Sequence, residues 1–265
     1  MGSQQPHNFL EKNFVLTMHR DMTADGYQEV LEDVNVGRFA FSDKSFINNA
    51  QRIRNVLAEW AQEKLQPGEP RAWKRAARDV VRPGQLSEVS LWMDSVDFPK
   101  QYHKGWSRKD PDYSYKLWRL GRRYMFVQDA QSQILRIWGG YSPKLYDGHF
   151  VELMHQQIER DFDSADIIAD QHFEYGNQFL RHAYIWTNPA EPNPNKRKRE
   201  GEDLENPTKE IKAYKRAHQR LRARVEDVFG LMTQKFHSLA VPWRESEEQM
   251  DNLVFIAAAV HNSNL

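Results

Sequence analysis

An α/β fold, a sheet flanked by helices behind an N-terminal helical region, is predicted by two changes of hydrophobic period along the chain. Up to about residue 81 apolar residues recur every three to four positions. Past Pro83-Gly84 they gather in short runs of strand length, and from about residue 208 the helical spacing returns. Two acids, Asp94 and Asp170, each close one of the short runs, and a third, Glu226, lies in the long helical stretch that follows them.

The elements follow in order. Ser42 to Leu65 is the clearest early helix, with Ile47, Ile53, Val56, Leu57 and Trp60 at helical spacing behind a Ser42-Asp43 start. Arg71 to Val81 is a second, with Trp73, Ala76, Ala77 and Val80 on one face; Pro67-Gly68 and Pro83-Gly84 punctuate its ends. Val89 to Met93 is a buried strand ending on Asp94. Arg123 to Asp129 and Ile134 to Gly139 form a hairpin about a turn at 130–132. Tyr146 to Phe162 is helical, with Phe150, Leu153, Met154 and Ile158 in one stripe. Ala165 to Ala169 is a strand ending on Asp170, and His182 to Thr187 is another. Asn188 to Pro207 carries Pro189, Pro192, Pro194 and Pro207 with the basic run Lys196 to Arg199, and has almost nothing to bury; it reads as a mobile surface insertion. Helices at 208–237 and 245–260 finish the chain, and no internal repeat is found.

Composition narrows the function. At 265 residues with 40% hydrophobic and 12% aromatic side chains, one large domain with a smaller appendage is expected. The absence of cysteine excludes disulfides, zinc-thiolate sites and cysteine nucleophiles. No run reaches the roughly twenty apolar residues of a membrane helix, and Met1 to Gln28 lacks the apolar stretch of a signal peptide. The 37 basic and 37 acidic residues balance, so a nucleic-acid role must rest on local patches.

Acids at the strand tips of one sheet, met by an acid on a helix, share one cleft without being near in sequence. A carboxylate cluster of that kind suits magnesium or manganese, which prefer oxygen ligands. The competing reading of the same three residues is solvated acids at turns.

The motifs around these acids resemble a family. From Trp92 to His261 the chain is similar to the DDE superfamily endonucleases of the PIF/Harbinger and IS5-like transposases. The resemblance runs through Met93-Asp94-Ser95-Val96-Asp97-Phe98, Trp106-Ser107-Arg108-Lys109, Ser114-Tyr115-Lys116, Gly121 to Asp129, and Gly139-Gly140-Tyr141-Ser142 with Tyr146-Asp147. It continues through Ile167 to Phe173, Arg222 to Met232, Lys235-Phe236 and the helix from Asn252 to His261. Its most specific part is the Arg-x-x-x-Glu-x-x-Phe-Gly run at Arg222 to Gly230. Three departures stand out: Gln171 follows Asp170 where glycine is usual, the Asp94 strand lacks the common Asp-Gly-Thr, and residues 188–207 are a long insertion.

The resemblance implies a ribonuclease-H-like mixed sheet flanked by helices across residues 86–265, behind a helical region at 1–85. It implies a metal-dependent DNA endonuclease and strand transferase in which Asp94, Asp170 and Glu226 are catalytic and hold two Mg2+ (or Mn2+) ions. It also implies DNA as partner, self-association on two DNA ends, and in many relatives a separate DNA-binding protein. Two other functions fit the same residues: a domesticated, non-cleaving DNA- or chromatin-binding descendant, and a ribonuclease-H-type nuclease that cleaves without strand joining.

Local charge supports DNA. Lys100, His103, Lys104, Arg108, Lys109, Lys116, Arg119, Arg122 and Arg123 follow Asp94 closely, interleaved with Tyr102, Trp106, Tyr113, Tyr115 and Trp118. Cations contact phosphates and aromatic rings stack on unpaired bases. Lys209, Lys212, Lys215, Arg216 and Arg220 form a second basic stripe leading to Arg222, which pairs with Glu226 one turn on or reaches a bound phosphate. For both groups the plain alternative is a solvated charged surface. Lys196 to Arg199 reads as a nuclear import signal, hence a nuclear protein in a eukaryote, or as a plain charged loop. The histidines show no metal-ligand spacing; His149, His155 and His261 are expected to be structural, and His172 is kept as a neighbour of the site. The N-terminal helices read DNA ends, buttress the sheet or mediate self-association; the sequence leaves these open.

Overall fold

The computed structural model describes residues 43–81, 86–188, 209–244 and 246–263. Expectations for the segment before residue 43, for the Pro83-Gly84 turn and for the basic tetrapeptide at 196–199 lie outside these residues.

Helices α1 (Asp43–Lys64) and α2 (Pro70–Arg78) come first. The sheet then begins with β1 (Leu91–Pro99), β2 (Tyr113–Ser114), β3 (Arg119–Gln128) and β4 (Ile134–Tyr141). Helix α3 (Asp147–Asp161), β5 (Asp166–Ile168), a 3-10 segment (Gln171–Phe179) and β6 (Tyr184–Trp186) follow. Helices α4 (Lys209–Lys235) and α5 (Glu247–Asn262) close the chain. The spatial order is β2-β3-β1-β5-β6, with β4 also paired to β3. β1, β3 and β4 are antiparallel, whereas β5 and β6 run parallel to β1. This is the mixed, helix-flanked α/β sheet that the sequence predicts.

Both faces of the sheet are covered, which is why its strands read as continuous apolar runs. Along β1 the two-residue period sends Leu91 and Met93 into one core, where Phe150, Val151, Met154 and Ile158 of α3 meet them. Trp92 goes to the other face, where Leu221 and Val225 of α4 pack. Farther along that face Phe98, Tyr124 and Phe126 meet Val228 and Met232 of α4 and Leu253, Val254 and Ala257 of α5. Each such fully buried large side chain contributes about 1.5–3 kcal/mol. Close approaches are tight: a Cβ on Gly139 would lie 2.0 Å from the Tyr124 ring, so β4 passes Tyr124 only as glycine. Helix α1 packs on α5 through Ala58, Ala61, Ile256 and Ala259, the three alanines letting the two backbones approach.

One sequence expectation is corrected. β1 does not end at Asp94 but continues to Pro99, because Ser95 to Pro99 pair in register with Gly121 to Met125 of β3. The polar residues Asp94, Ser95 and Asp97 made the run look finished, yet all three are buried within the sheet.

Candidate active site

Parallel pairing of β1 with β5 sets the first two acids side by side. Leu91 is in register with Ile167 and Trp92 with Ile168, so two residues on, Asp94 stands level with Asp170. Asp94 shares the α4-facing side of β1 with Trp92. The Trp92 indole N–H donates to the Leu221 carbonyl at 2.8 Å, which fixes α4 against this edge of the site. Glu226 lies five residues farther along α4, with Leu221, Val225, Val228 and Met232 buried beneath it.

The three acids converge on one cation. Arg222 Nη2 lies 3.6 Å from Asp94 Oδ2, 3.1 Å from Asp170 Oδ2 and 3.2 Å from Glu226 Oε1. Arg222 Nε is buried without a hydrogen-bond partner among the described residues. Asp94 is 6% exposed, and burial pushes its carboxyl up to about 6, against the opposing pull of Arg222 and Lys116. Asp170 is half-buried and Glu226 exposed, so the cleft opens from a dry floor to a wet rim. The acids meet through the guanidinium rather than through one another, and among the described residues no group of three or more His, Cys, Asp or Glu side chains is close enough to hold a metal ion. The donors are nonetheless all carboxylate oxygens around a point already occupied by positive charge. That is the chemistry a hard divalent cation requires.

Beneath Asp94 runs a buried polar network that takes in Arg123, which the sequence places instead among the cations facing DNA. The Ser95 amide donates to Asp94 Oδ1 at 2.8 Å, and the Ser95 hydroxyl donates to Asp147 Oδ1 at 2.8 Å. Arg123 holds Asp97 with Nε and Nη2 at 2.7 and 3.1 Å and reaches Asp147 with Nη1 at 3.1 Å. Ser114 Oγ donates to Asp97 at 2.6 Å. Lys116 Nζ lies 3.4 Å from the Ser95 carbonyl, bringing a second cation toward Asp94. Ser95, Asp97, Ser114, Arg123 and Asp147 all fall within segments that carry the family resemblance, but nothing in their spacing shows that they pair. His218 was also missed: one turn before Arg222, it is fully buried, its Nε2 is 3.3 Å from the Trp186 carbonyl, and burial holds its pKa below the usual imidazole value.

The basic run after Asp94 divides. Arg123 is sequestered as described; Arg122 pairs with Glu247 and Asp251; Lys100 pairs with Asp112 and Glu247; His103 pairs with Asp110. Arg123, Arg122 and Lys100 therefore form structural ion pairs rather than a charged rim, and His103 is tied to Asp110 at 2.7 Å. Lys104, Arg108, Lys109 and Lys116 are exposed, and Arg119 is half-exposed. The interleaved aromatics form a ladder: Tyr102 stacks on Trp106 at 4.4 Å, Trp106 lies parallel to Tyr113 at 6.3 Å, and Tyr115 meets Tyr113 edge-on. Trp118 is 64% exposed and carries Arg108 over its ring at 5.3 Å. Lys212 and Arg216 are exposed on α4, one turn apart, with Arg220 a turn farther. His172 is exposed and, with Tyr146, Gln171, Glu174 and Tyr175, lines an open cleft of about 450 Å³ directly after Asp170. His149 contacts Glu152, and His261 lies 3.1 Å from the Ser132 carbonyl, both structural.

A family model described as a transposase DDE domain matches residues 86–262. No curated protein and no solved structure matches the chain.

Proposed function

The chain belongs to the transposase DDE domain family, and on that premise we propose that it is a metal-dependent DNA endonuclease and strand transferase whose catalytic residues are Asp94, Asp170 and Glu226. The observation that carries the reading is the convergence of these three acids, from two strands and a helix, on the single guanidinium of Arg222. The finer PIF/Harbinger or IS5-like assignment remains part of the proposal.

Two Mg2+ or Mn2+ ions held by Asp94, Asp170 and Glu226 would supply an activated oxygen nucleophile and charge stabilisation at the leaving oxygen. The chain's own residues supply the rest. Asp94 sits on the dry floor, tied by the Ser95 amide so that its second oxygen faces α4. Lys116 and Arg222 are the cations nearest the acids, placed to receive the scissile phosphate. Lys104, Arg108, Lys109 and Arg119 hold the backbone on one side, and Lys212 and Arg216 on the other. Tyr115 and Trp118 offer faces to unpaired bases beside the cut. The reaction is in-line attack on a phosphodiester, first by water and then by the freed 3′-hydroxyl. We further propose self-association on two DNA ends, dependence on a separate DNA-binding protein, and nuclear import through Lys196 to Arg199.

The test is nicking of supercoiled DNA with Mg2+ and Mn2+ by the parent beside Asp94→Asn, Asp170→Asn and Glu226→Gln, each checked for fold by circular dichroism. Nicking by the parent, lost in each variant, supports the assignment. Nicking that survives all three substitutions removes it. DNA binding without nicking under either metal favours a non-cleaving, domesticated descendant.

A further inference from the structure

The acids proposed to hold metal already hold a cation, and the way they hold it differs from the other buried arginine nearby. Arg123 uses its whole fork: Nε, Nη1 and Nη2 all donate, at 2.7–3.1 Å, to two carboxylates and the Leu145 carbonyl. Arg222 comes closest to each of its three carboxylates through Nη2, at 3.1–3.6 Å, while its Nε is buried with no hydrogen-bond partner among the described residues. Charge-assisted N–H···O bonds close to about 2.7–2.9 Å, and a forked guanidinium prefers two parallel bonds to one acid. Arg222 thus behaves as a point charge. Its side chain remains 30% exposed, and even with Lys116 acting on Asp94 from one side, two cations face three carboxylates.

We propose that Arg222 is the counter-ion of the metal-free acid cluster and competes with divalent metal for it, so that loading metal expels the guanidinium from among Asp94, Asp170 and Glu226. The inference rests on the reading that these acids hold metal. One centre does not accommodate both cations, and a divalent ion offers twice the charge to the same oxygens. Expulsion frees Arg222 for a phosphate only once metal is in place, so substrate capture follows metal loading.

Two measurements on the full chain without DNA test this. The first is Mn2+ binding by isothermal titration calorimetry at pH 7.5 and fixed ionic strength, for the parent, Arg222→Gln, Arg220→Gln, Asp94→Asn and Glu226→Gln. Arg220 is an exposed cation on the same helix and reports the effect of losing a charge without losing the contact. Arg222→Gln is expected to bind Mn2+ roughly tenfold more tightly than the parent, with Arg220→Gln close to the parent. The metal-free Arg222→Gln protein is expected to melt lower and to gain more from Mn2+. Equal affinities for the two glutamine variants, or weaker binding by Arg222→Gln, overturn the competition. Parent-like Mn2+ binding by both Asp94→Asn and Glu226→Gln instead removes the metal assignment itself, and the competition with it.

The second measurement needs no variant. Phenylglyoxal labelling of the parent, read by mass spectrometry, is expected to rise severalfold at Arg222 on adding Mn2+ while Arg220 is unchanged. Protection of Arg222, or no change, overturns the proposal.

Discussion

The indole N–H of Trp92 on β1 donates to the carbonyl of Leu221 on α4 at 2.8 Å, bridging 129 positions of sequence across the floor of the candidate site. Trp92 is fully buried and stands two residues before Asp94; Leu221 stands one before Arg222. The bond therefore sets the height of α4, and with it Glu226, against the strand acids.

Trp92→Phe keeps an aromatic ring in that core but removes the donor and leaves a gap. The loss is expected to be about 1–2 kcal/mol, combining one lost buried hydrogen bond with a small cavity; the Leu221 carbonyl keeps its bond within α4. Urea denaturation followed by circular dichroism reads it. If the bond positions α4, Trp92→Phe also lowers metal-dependent nicking more than a remote change of equal cost does. Equal loss of nicking by both variants would show Trp92 to be a core residue only.

Asp94 makes stability depend on pH in a direction that can be worked out. Its folded-state pKa of about 6 lies above the ordinary value of 3.8, because burial disfavours the charged form. The folded chain therefore holds this proton more tightly than the unfolded chain does. The contribution of Asp94 to stability falls as pH rises from about 4 to about 6, and the cost is fully present above that window. Asp94→Asn removes the cost. It is expected to raise the melting temperature at pH 8 by an amount equivalent to at most about 3 kcal/mol, with the pull of Arg222 already counted, and to match the parent at pH 4. Calorimetric scans at the two pH values decide this; a variant that is less stable at pH 8 refutes the buried-charge account.

Arg123 neutralises two carboxylates, Asp97 and Asp147, that are 5% exposed each. Arg123→Met leaves both buried without their cation, a loss expected to cost about 3–5 kcal/mol. Pairing the change with Asp97→Asn should return part of that stability, since one uncompensated charge disappears. A denaturant midpoint for Arg123→Met within error of the parent would show that the network adds nothing to folding.

How far the sequence anticipates the structure depends on which physical signal each element carries. The helix around Glu226 was legible because Leu221, Val225, Val228 and Met232 keep one period for three turns. The parallel level of Asp94 and Asp170 was not, since register between β1 and β5 is fixed by tertiary packing and leaves no local mark. The end of β1 was misplaced because Asp94, Ser95 and Asp97 are polar, and polar residues in a buried strand read as a turn until their partners Arg123, Ser114 and Asp147 are seen. The same blindness to pairing made Arg122 and Arg123 look like a charged rim. β2, two residues long, and the 3-10 segment after Asp170 are below the length at which periodicity speaks. The central position of Arg222 lay in its spacing of four from Glu226, but its contact with Asp94 and Asp170 required the fold.

The exposed rings beside the site make the last prediction. Tyr115 is 62% and Trp118 64% exposed, a large apolar area left in water next to Lys116 and Arg108. Trp118 also holds a left-handed backbone, φ 55°, that is uncommon outside glycine, so the turn presents its ring outward at some conformational cost. Neither ring supports the core, and Trp118→Ala and Tyr115→Ala are each expected to shift stability by no more than about 0.5 kcal/mol. If the rings stack on unpaired bases, each substitution weakens binding of a single-stranded oligonucleotide by about 1–3 kcal/mol, while a blunt duplex of the same length is little affected. Lys104→Ala and Lys109→Ala are expected to act differently, weakening both DNAs and lowering the slope of affinity against salt by about one each. Fluorescence anisotropy across a salt series separates the two effects. Equal weakening of single strand and duplex by Trp118→Ala would place the ring in general backbone contact and take the base-stacking role away from it.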